Sequence, residues 1–332
     1  MSAAFPGSMS PARAAWGVGG AGVLATALLA SAFPLATYTL SLAMFGLPHV
    51  LAEFGWVRHR YAARLAPAVR AGVVALLAGV LFGRVGRAAG FGTAAGWSPA
   101  ELALVAGMAL AALGVRGAGA PRRVTVGAIG TAVVVGVGLV RAPATTLLGA
   151  AMLHNWTPVG LLAEGLDGAA RRRAMAACAV VFGVVPVLIA SGALPHVVAR
   201  AGWTAPDVGP LTTGGLAAQL GAYLPAAWRD APWARDVFAA LAYTQCMHYA
   251  AVLHVLPRIA GAQGAPAWGG LGHAGRAAVA VVCVALSVGF VVDFAVARAW
   301  YGVAAALHAW VEVPALLVAL GGRPPAERVV AA

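Results

Sequence analysis

Residues 14–52 read AAWGVGGAGVLATALLASAFPLATYTLSLAMFGLPHVLA and contain no charged side chain. As one helix this stretch would be about 58 Å long, roughly twice the hydrocarbon thickness of a membrane. Pro34 falls near its middle, and proline lacks the N–H group that a helix interior needs. The stretch therefore predicts two consecutive membrane-spanning helices that meet at Pro34.

Apolar runs of similar length recur through the rest of the chain. Of its 332 residues, 61% are hydrophobic and 10% are charged, whereas a soluble domain carries roughly 25% charged residues. We therefore expect an all-α polytopic bundle, whose helices satisfy their own backbone hydrogen bonds in lipid. Ten spans are predicted, or nine if the first two form one. They lie at about 16–33, 35–52, 71–88, 101–115, 124–140, 144–163, 174–194, 236–257, 277–297 and 300–320.

The arginines predict the orientation of this bundle. All 22 basic residues are arginine, and a cytoplasmic N-terminus places 15 of them on the cytoplasmic side and 7 on the other, as the positive-inside rule expects. With ten spans both termini are cytoplasmic. We expect one integral domain, residues 1–332, in a bacterial-type inner membrane. The net charge of +12 is then a feature of membrane topology, and no nucleic-acid partner is expected.

One predicted connection is long, spanning residues 195–235 on the non-cytoplasmic side. It contains Trp203, Trp228 and Trp233 together with several prolines and glycines. Tryptophan is enriched where a membrane meets water. The segment is therefore expected to be an interfacial loop, with a lid over a cavity as the alternative.

Ionisable residues inside the spans carry the main functional signal, because inserting a charged one costs about 2.5–3.5 kcal/mol. Seven such residues lie within or at the ends of spans, and counting from the cytoplasmic end of each span places all but Glu53, which closes the second span, roughly 5 to 18 Å deep. This similar depth predicts one shared site. The seven are His49, Glu53, His154, His248, His254, His308 and Glu312.

Two histidine–glutamate pairs share the i,i+4 spacing, His49 with Glu53 and His308 with Glu312, and each pair lies on one helix face. Both side chains of such a pair can bind a metal. Alternatively the histidine binds the metal while a glutamate from the same or a neighbouring helix orients it. A third possibility is a structural hydrogen bond between helices. Two pairs and two further histidine-bearing spans favour the metal site.

The other histidines differ in their settings. His248 and His254 are six residues apart, about 240° around a helix, so they cannot both face one point. His248 is the deeper of the two and is expected to face the site; its polar neighbours are Thr244, Gln245 and Tyr249. His154 precedes Pro158, which weakens the helix. Broken backbone at membrane depth is tolerated where it lines a protein cavity.

Neutral imidazoles with carboxylates and no thiolate cluster suit iron, copper or zinc. The chain has no HExxH motif, which argues against a zinc hydrolase. Fe(II) with open positions suits the reaction of dioxygen with a lipid-soluble substrate. Haem or copper in an electron-transfer or assembly protein is the main alternative. A transporter whose histidine–glutamate pairs relay protons is another.

The segment Gly46-Leu47-Pro48-His49, followed four residues later by Glu53, resembles the G-x-P-H-G-x-x-D segment of the Brp/Blh β-carotene 15,15′-dioxygenase family. The later histidines also follow a similar order. They are His154, then His248 with His254, then His308. This chain has Val50 and Glu53 where the motif has glycine and aspartate, and its later pair is six rather than four residues apart.

The resemblance implies a membrane enzyme that splits a carotenoid with dioxygen. It implies Fe(II) bound by His49, His154, His248 and His308, with Glu53, Glu312 and His254 supporting these ligands. The remaining implied residues would line an apolar tunnel for the hydrophobic substrate. They are Trp156, Thr157, Gln245 and Tyr249.

Overall fold

The computed structural model describes residues 11–115, 120–204, 215–217, 220, 228–262 and 272–322. Nearly all of these residues are helical, and the one extended pairing among them is an isolated bridge between Leu65 and Val115. The predicted all-α class is confirmed for this part of the chain.

Apart from the helical residues 215–217 and 220, fourteen α-helices lie in the described ranges. In chain order they are α1 (Pro11–Ala32), α2 (Pro34–Tyr61), α3 (Pro67–Ala88), α4 (Ala94–Ala111), α5 (Arg122–Arg141), α6 (Pro143–His154), α7 (Thr157–Gly165), α8 (Gly168–Ala179), α9 (Val185–Ala190), α10 (Ala193–Arg200), α11 (Ala234–Ala250), α12 (Leu256–Ala262), α13 (His273–Val292) and α14 (Phe294–Ala319). Two π-helical turns, Val180–Val184 and Ala251–Val255, connect α8 to α9 and α11 to α12.

Seven helical segments of the described chain are long and apolar enough to cross a membrane, which supports a multi-pass membrane protein. They are Pro34–Arg64, Pro67–Ala88, Gly96–Gly114, Arg122–Arg141, Gly168–Ala190, His273–Val292 and Phe294–Ala319. The number of ten is not confirmed. The predicted span 144–163 is divided between α6 and α7, 236–257 is not among the seven, and the first span contributes only the shorter apolar helix Gly19–Ala32. The sidedness of the termini stays a prediction.

Helices α2 and α14 lie at the centre of the bundle. Half of the apolar stretch of each is buried, compared with 6% for α13. They pack against each other, and α2 also packs against α11. The outer helices expose large apolar side chains, such as Val133, Val134 and Val137 of α5, as a lipid-facing surface would. The helices that carry the predicted site are therefore the protected ones.

Prolines explain the irregular turns. Pro186 has no N–H group, so the carbonyl of Phe182, four residues earlier, loses its helical partner. The indole Nε1–H of Trp156 donates to that carbonyl at 2.7 Å. Pro257 follows the second π-turn in the same way. The first of these turns thereby fixes the start of α7 against the helix formed by α8 and α9.

The predicted loop 195–235 begins inside α10, which continues to Arg200. Residues 205–214, 218, 219 and 221–227 lie outside the described residues. Trp203, Trp228 and Trp233 are exposed. The placement of this segment at a membrane interface stays a prediction.

Candidate metal centre

Five ionisable side chains from four helices meet in the interior of the bundle. One possible ligand atom from each lies within 4.8 Å of those of all the others. His154 is 11% exposed in its side chain, and the other four are at most 2% exposed. The five are His49 and Glu53 from α2, His154 from α6, His248 from α11 and His308 from α14. These residues could hold a metal ion.

The Nε2 atoms of three imidazoles point at one another. His308 Nε2 lies 3.1 Å from His49 Nε2 and 2.8 Å from His154 Nε2. Oε2 of Glu53 lies 3.4 Å from His248 Nε2 and 3.9 Å from His308 Nε2. The structure thus brings together the four histidines that the sequence singled out as ligands.

Hydrogen bonds on the far side of two rings determine where their protons lie. His49 Nδ1 lies 3.1 Å from the Phe45 carbonyl oxygen, and His154 Nδ1 lies 2.6 Å from Glu312 Oε2. The first contact requires Nδ1–H on His49, the second requires it on His154 when Glu312 is a carboxylate, and a neutral imidazole carries only one proton on nitrogen. The Nε2 lone pairs of His49 and His154 therefore point inward. His308 Nε2 can donate to only one of them, so the arrangement suits a cation better than a proton.

Each glutamate of the two i,i+4 pairs contacts a histidine from another helix rather than its own partner in the pair. Glu312 of α14 accepts from His154 of α6, and Glu53 of α2 lies beside His248 of α11. Glu312 therefore orients a neighbouring imidazole. The sequence predicted that Glu53 supports the ligands from behind. In the structure, its carboxylate is itself one of the five possible ligands.

Several buried polar atoms at the centre have no hydrogen-bond partner among the described residues: both Glu53 oxygens, both His248 ring nitrogens and Glu312 Oε1. Buried polar groups are normally paired, and an unpaired one costs about 1–3 kcal/mol. Glu53 and Glu312 also place two carboxyl groups in this buried centre. A divalent cation would satisfy these atoms and pair with an ionised carboxylate, so the residues fit a metal ion.

Gly46 allows α2 and α14 to approach closely beside the centre. A Cβ atom at this position would lie 2.7 Å from Cε2 of Tyr301, closer than packed carbon atoms come. Tyr301 in turn lies 3.4 Å from Tyr249 through the two hydroxyl oxygens. The Tyr249 ring packs on His49 with their centroids 4.1 Å apart. The glycine of the Gly46–His49 segment therefore helps to fix the orientation of the His49 ring.

A cavity of about 630 Å³ reaches the histidines. His49, His154 and His308 line it, together with Gln245 and Tyr249, which the sequence placed beside a substrate. Most of the remaining wall is apolar or aromatic. The centre therefore faces a space large enough for a small molecule.

Three predicted site residues lie outside this cavity and outside the ligand cluster. Trp156 is engaged with Phe182, and the Thr157 hydroxyl donates to the His154 carbonyl at 2.8 Å; neither lines this cavity. His254 is exposed in the second π-turn and is not part of the cluster. Its angular offset from His248 along the helix accounts for this separation.

Two buried acids that the sequence analysis did not single out brace the helices around the centre. Glu101 pairs with Arg84 at 2.6 Å and accepts from Trp310 Nε1 at 2.7 Å. In the sequence, Glu101 begins the apolar run 101–115 and Glu164 directly follows the run 144–163.

The second of these acids is Glu164, which pairs with Arg60 at 3.1 Å and Arg64 at 3.0 Å. Burial alone would raise the pKa of Glu164. The hydrogen bonds and positive charges of the two arginines outweigh it and hold that pKa below its ordinary value. The contact joins the end of α2 to the end of α7.

No protein-family model, curated protein or solved structure matches this chain. The resemblance to the Brp/Blh family therefore stays a prediction.

Proposed function

We propose that the chain is a membrane oxygenase that binds one Fe(II) ion and uses dioxygen to oxidise a lipid-soluble small molecule. The observation that carries the proposal is the convergence of the His49 and His154 lone pairs on His308, at the wall of a largely apolar cavity. His248 and Glu53 complete the set of donors. Cleavage of a carotenoid is the specific activity that we propose from the sequence resemblance.

The donor set supports an ion of the iron, copper and zinc group, since it combines imidazoles with a carboxylate. Cys178, Cys246 and Cys283 are free and outside the cluster. A haem needs a flat space between two axial imidazoles. Here the Nε2 atoms are only 2.8 and 3.1 Å apart, which favours a single ion over haem.

The protein's own part is to orient the ligands and exclude water. The Phe45 carbonyl and Glu312 hold two imidazoles with Nε2 inward, and Tyr249 packs on His49. The apolar wall would hold a substrate beside the histidines and keep bulk water out. Bound Fe(II) would supply the electron-transfer chemistry that dioxygen needs to react with a closed-shell organic molecule.

Carotenoid cleavage balances without a further co-reactant. The double bond breaks, and each of its two carbons takes one oxygen atom of dioxygen to become a carbonyl group. The carbon atoms are oxidised and dioxygen is reduced. A site that holds an alkene beside a metal and away from water meets the demands of this reaction.

Metal analysis of detergent-purified protein tests the proposal. We expect about one iron per chain, and loss of iron in His49→Ala and His308→Ala but not in His196→Ala, whose histidine is exposed and outside the cluster. In cells that make β-carotene, the wild type should deplete the pigment and form retinal, and His308→Ala should not. Iron-free wild type, full iron in His49→Ala, or a haem absorption band would each contradict the proposal.

A further inference from the structure

The two ends of the cavity at the metal centre are lined by different kinds of side chain. Arg84 and Arg87, in the last turns of α3, and Arg298, in the first turns of α14, line it. His308 lies ten residues after Arg298 on α14, about 15 Å farther along the helix axis. One end of the cavity thus carries three guanidinium groups and the other end carries the imidazoles.

The described residues that line the arginine end bring positive charge to it. Arg84 is paired with Glu101, and Arg87 experiences the charges of Arg84, Glu101 and Arg298. No acidic residue is among the described residues that line the cavity. These three are also among the seven arginines assigned to the non-cytoplasmic side, where arginine is disfavoured by the positive-inside rule. Their grouping at one end of the cavity suits a negatively charged ligand.

The space between the two ends is shaped for an apolar chain. Small residues of α14 face it, including Ala299, Gly302 and Ala305, and a Cβ atom at Gly302 would meet nothing within 4 Å. Phe238 and Phe294 add aromatic surface. The volume of about 630 Å³ falls within the roughly 300–1,000 Å³ of small-molecule sites.

We propose that this cavity binds an amphiphile with one anionic head group, a carboxylate or a phosphate, held by Arg84, Arg87 and Arg298, with its apolar chain extended toward the histidines. Arginine suits such heads because its planar group makes paired, charge-assisted hydrogen bonds. The inference rests on the proposed function in one respect: the reacting carbon would lie about 15 Å from the head. A carotenoid with an acidic end would occupy both ends of the cavity, whereas a hydrocarbon carotene would occupy the apolar part and the histidine end.

Binding of parinaric acid, a fluorescent polyene fatty acid, tests the proposal on the purified protein without dioxygen, so that no oxidation occurs. We expect the acid to bind about tenfold more tightly than its methyl ester, the equivalent of one charge-assisted contact. Arg87→Ala/Arg298→Ala should lose this preference while still binding the ester, and Arg141→Ala, at an exposed arginine outside the cavity, should keep it. Equal binding of acid and ester by the wild type, or an unchanged preference in the double variant, would overturn the proposal.

If the alanine variant does not fold, two milder variants decide the question. Arg87→Lys/Arg298→Lys should keep the preference for the acid, and Arg87→Gln/Arg298→Gln should lose it; equal preference in the two would overturn the proposal. Competition identifies the head group, since oleate represents a carboxylate and lysophosphatidate a phosphate. Equally effective displacement by oleyl alcohol would again overturn it.

A further variant separates this inference from the proposed function. Gly302→Leu should fill the cavity and weaken binding of both acid and ester while leaving the metal content unchanged; unchanged binding would place the ligand elsewhere and overturn the inference. If the acid preference holds but the iron-loaded protein forms no oxidised product, the oxygenase function fails and the anionic-amphiphile site stands.

Discussion

Nδ1 of His154 lies 2.6 Å from Oε2 of Glu312, although 158 positions of the chain separate the two residues. The contact ties the end of α6 to α14 and turns the Nε2 lone pair of His154 toward His308. A carboxylate behind a histidine ligand fixes its ring and raises its basicity. Glu312 is therefore a positioning residue for the centre.

We expect Glu312→Gln to weaken metal binding about 10- to 100-fold, the usual effect of losing such support. Co²⁺ titration against a competing chelator measures this loss, and the visible absorption of bound Co²⁺ should shift as His154 reorients. Asp293→Asn is the matched control, because Asp293 caps the start of α14 far from the centre. Wild-type affinity and spectrum in Glu312→Gln would show that the contact does not support a ligand.

Substitution of the two histidines between the start of α11 and the end of α12 should have different effects on bound metal. We expect His248→Ala to lose bound metal, because His248 lies within the ligand cluster. His254→Ala should keep it, since His254 is exposed on the opposite side of the helix. Metal content per chain, measured on purified protein, decides between them. Loss in His254→Ala with retention in His248→Ala would reverse the assignment.

Local spacing predicted the members of the centre but not their pairing. The i,i+4 pattern placed His49 with Glu53 and His308 with Glu312 on shared faces, and similar depth placed them in one layer. Which glutamate serves which histidine depends on how α2, α6, α11 and α14 pack, and no spacing along the chain encodes that.

Helical spacing predicted some placements correctly and missed others that depend on the folded structure. The six-residue offset separated His248 from His254 correctly, but Thr157 was assigned to the cavity when its hydroxyl instead bonds the carbonyl of His154 at the helix break. In the sequence the arginines of the cavity indicated only the orientation of the chain, because Arg87 and Arg298 are more than 200 residues apart and line one cavity only after folding.

Gly46 provides a prediction about packing. We expect Gly46→Ala to destabilise the protein by about 1–3 kcal/mol, the range for overpacking, because the new methyl would overlap the Tyr301 ring. Gly130→Ala is the control, since a Cβ there meets nothing within 4 Å. Thermal unfolding in detergent measures both. Adding Tyr301→Leu should recover part of the loss, and equal effects of Gly46→Ala and Gly130→Ala would contradict the close approach.

Glu164 gives a prediction about pH. Its pKa is held below the ordinary value by Arg60 and Arg64, so its stabilising effect is complete above the ordinary carboxyl pKa of about 4.3 and is lost as pH falls through the lowered pKa. At neutral pH, Glu164→Gln should destabilise the protein by about 3 kcal/mol, because it leaves two largely buried guanidinium groups without their shared carboxylate. Thermal unfolding of the wild type and Glu164→Gln, followed from neutral to acidic pH, should show the difference shrinking below about pH 4. A difference that stays constant with pH would mean that the carboxylate charge does not stabilise the contact. Asp293→Asn removes the charge of an exposed acid and controls for a general loss of negative charge.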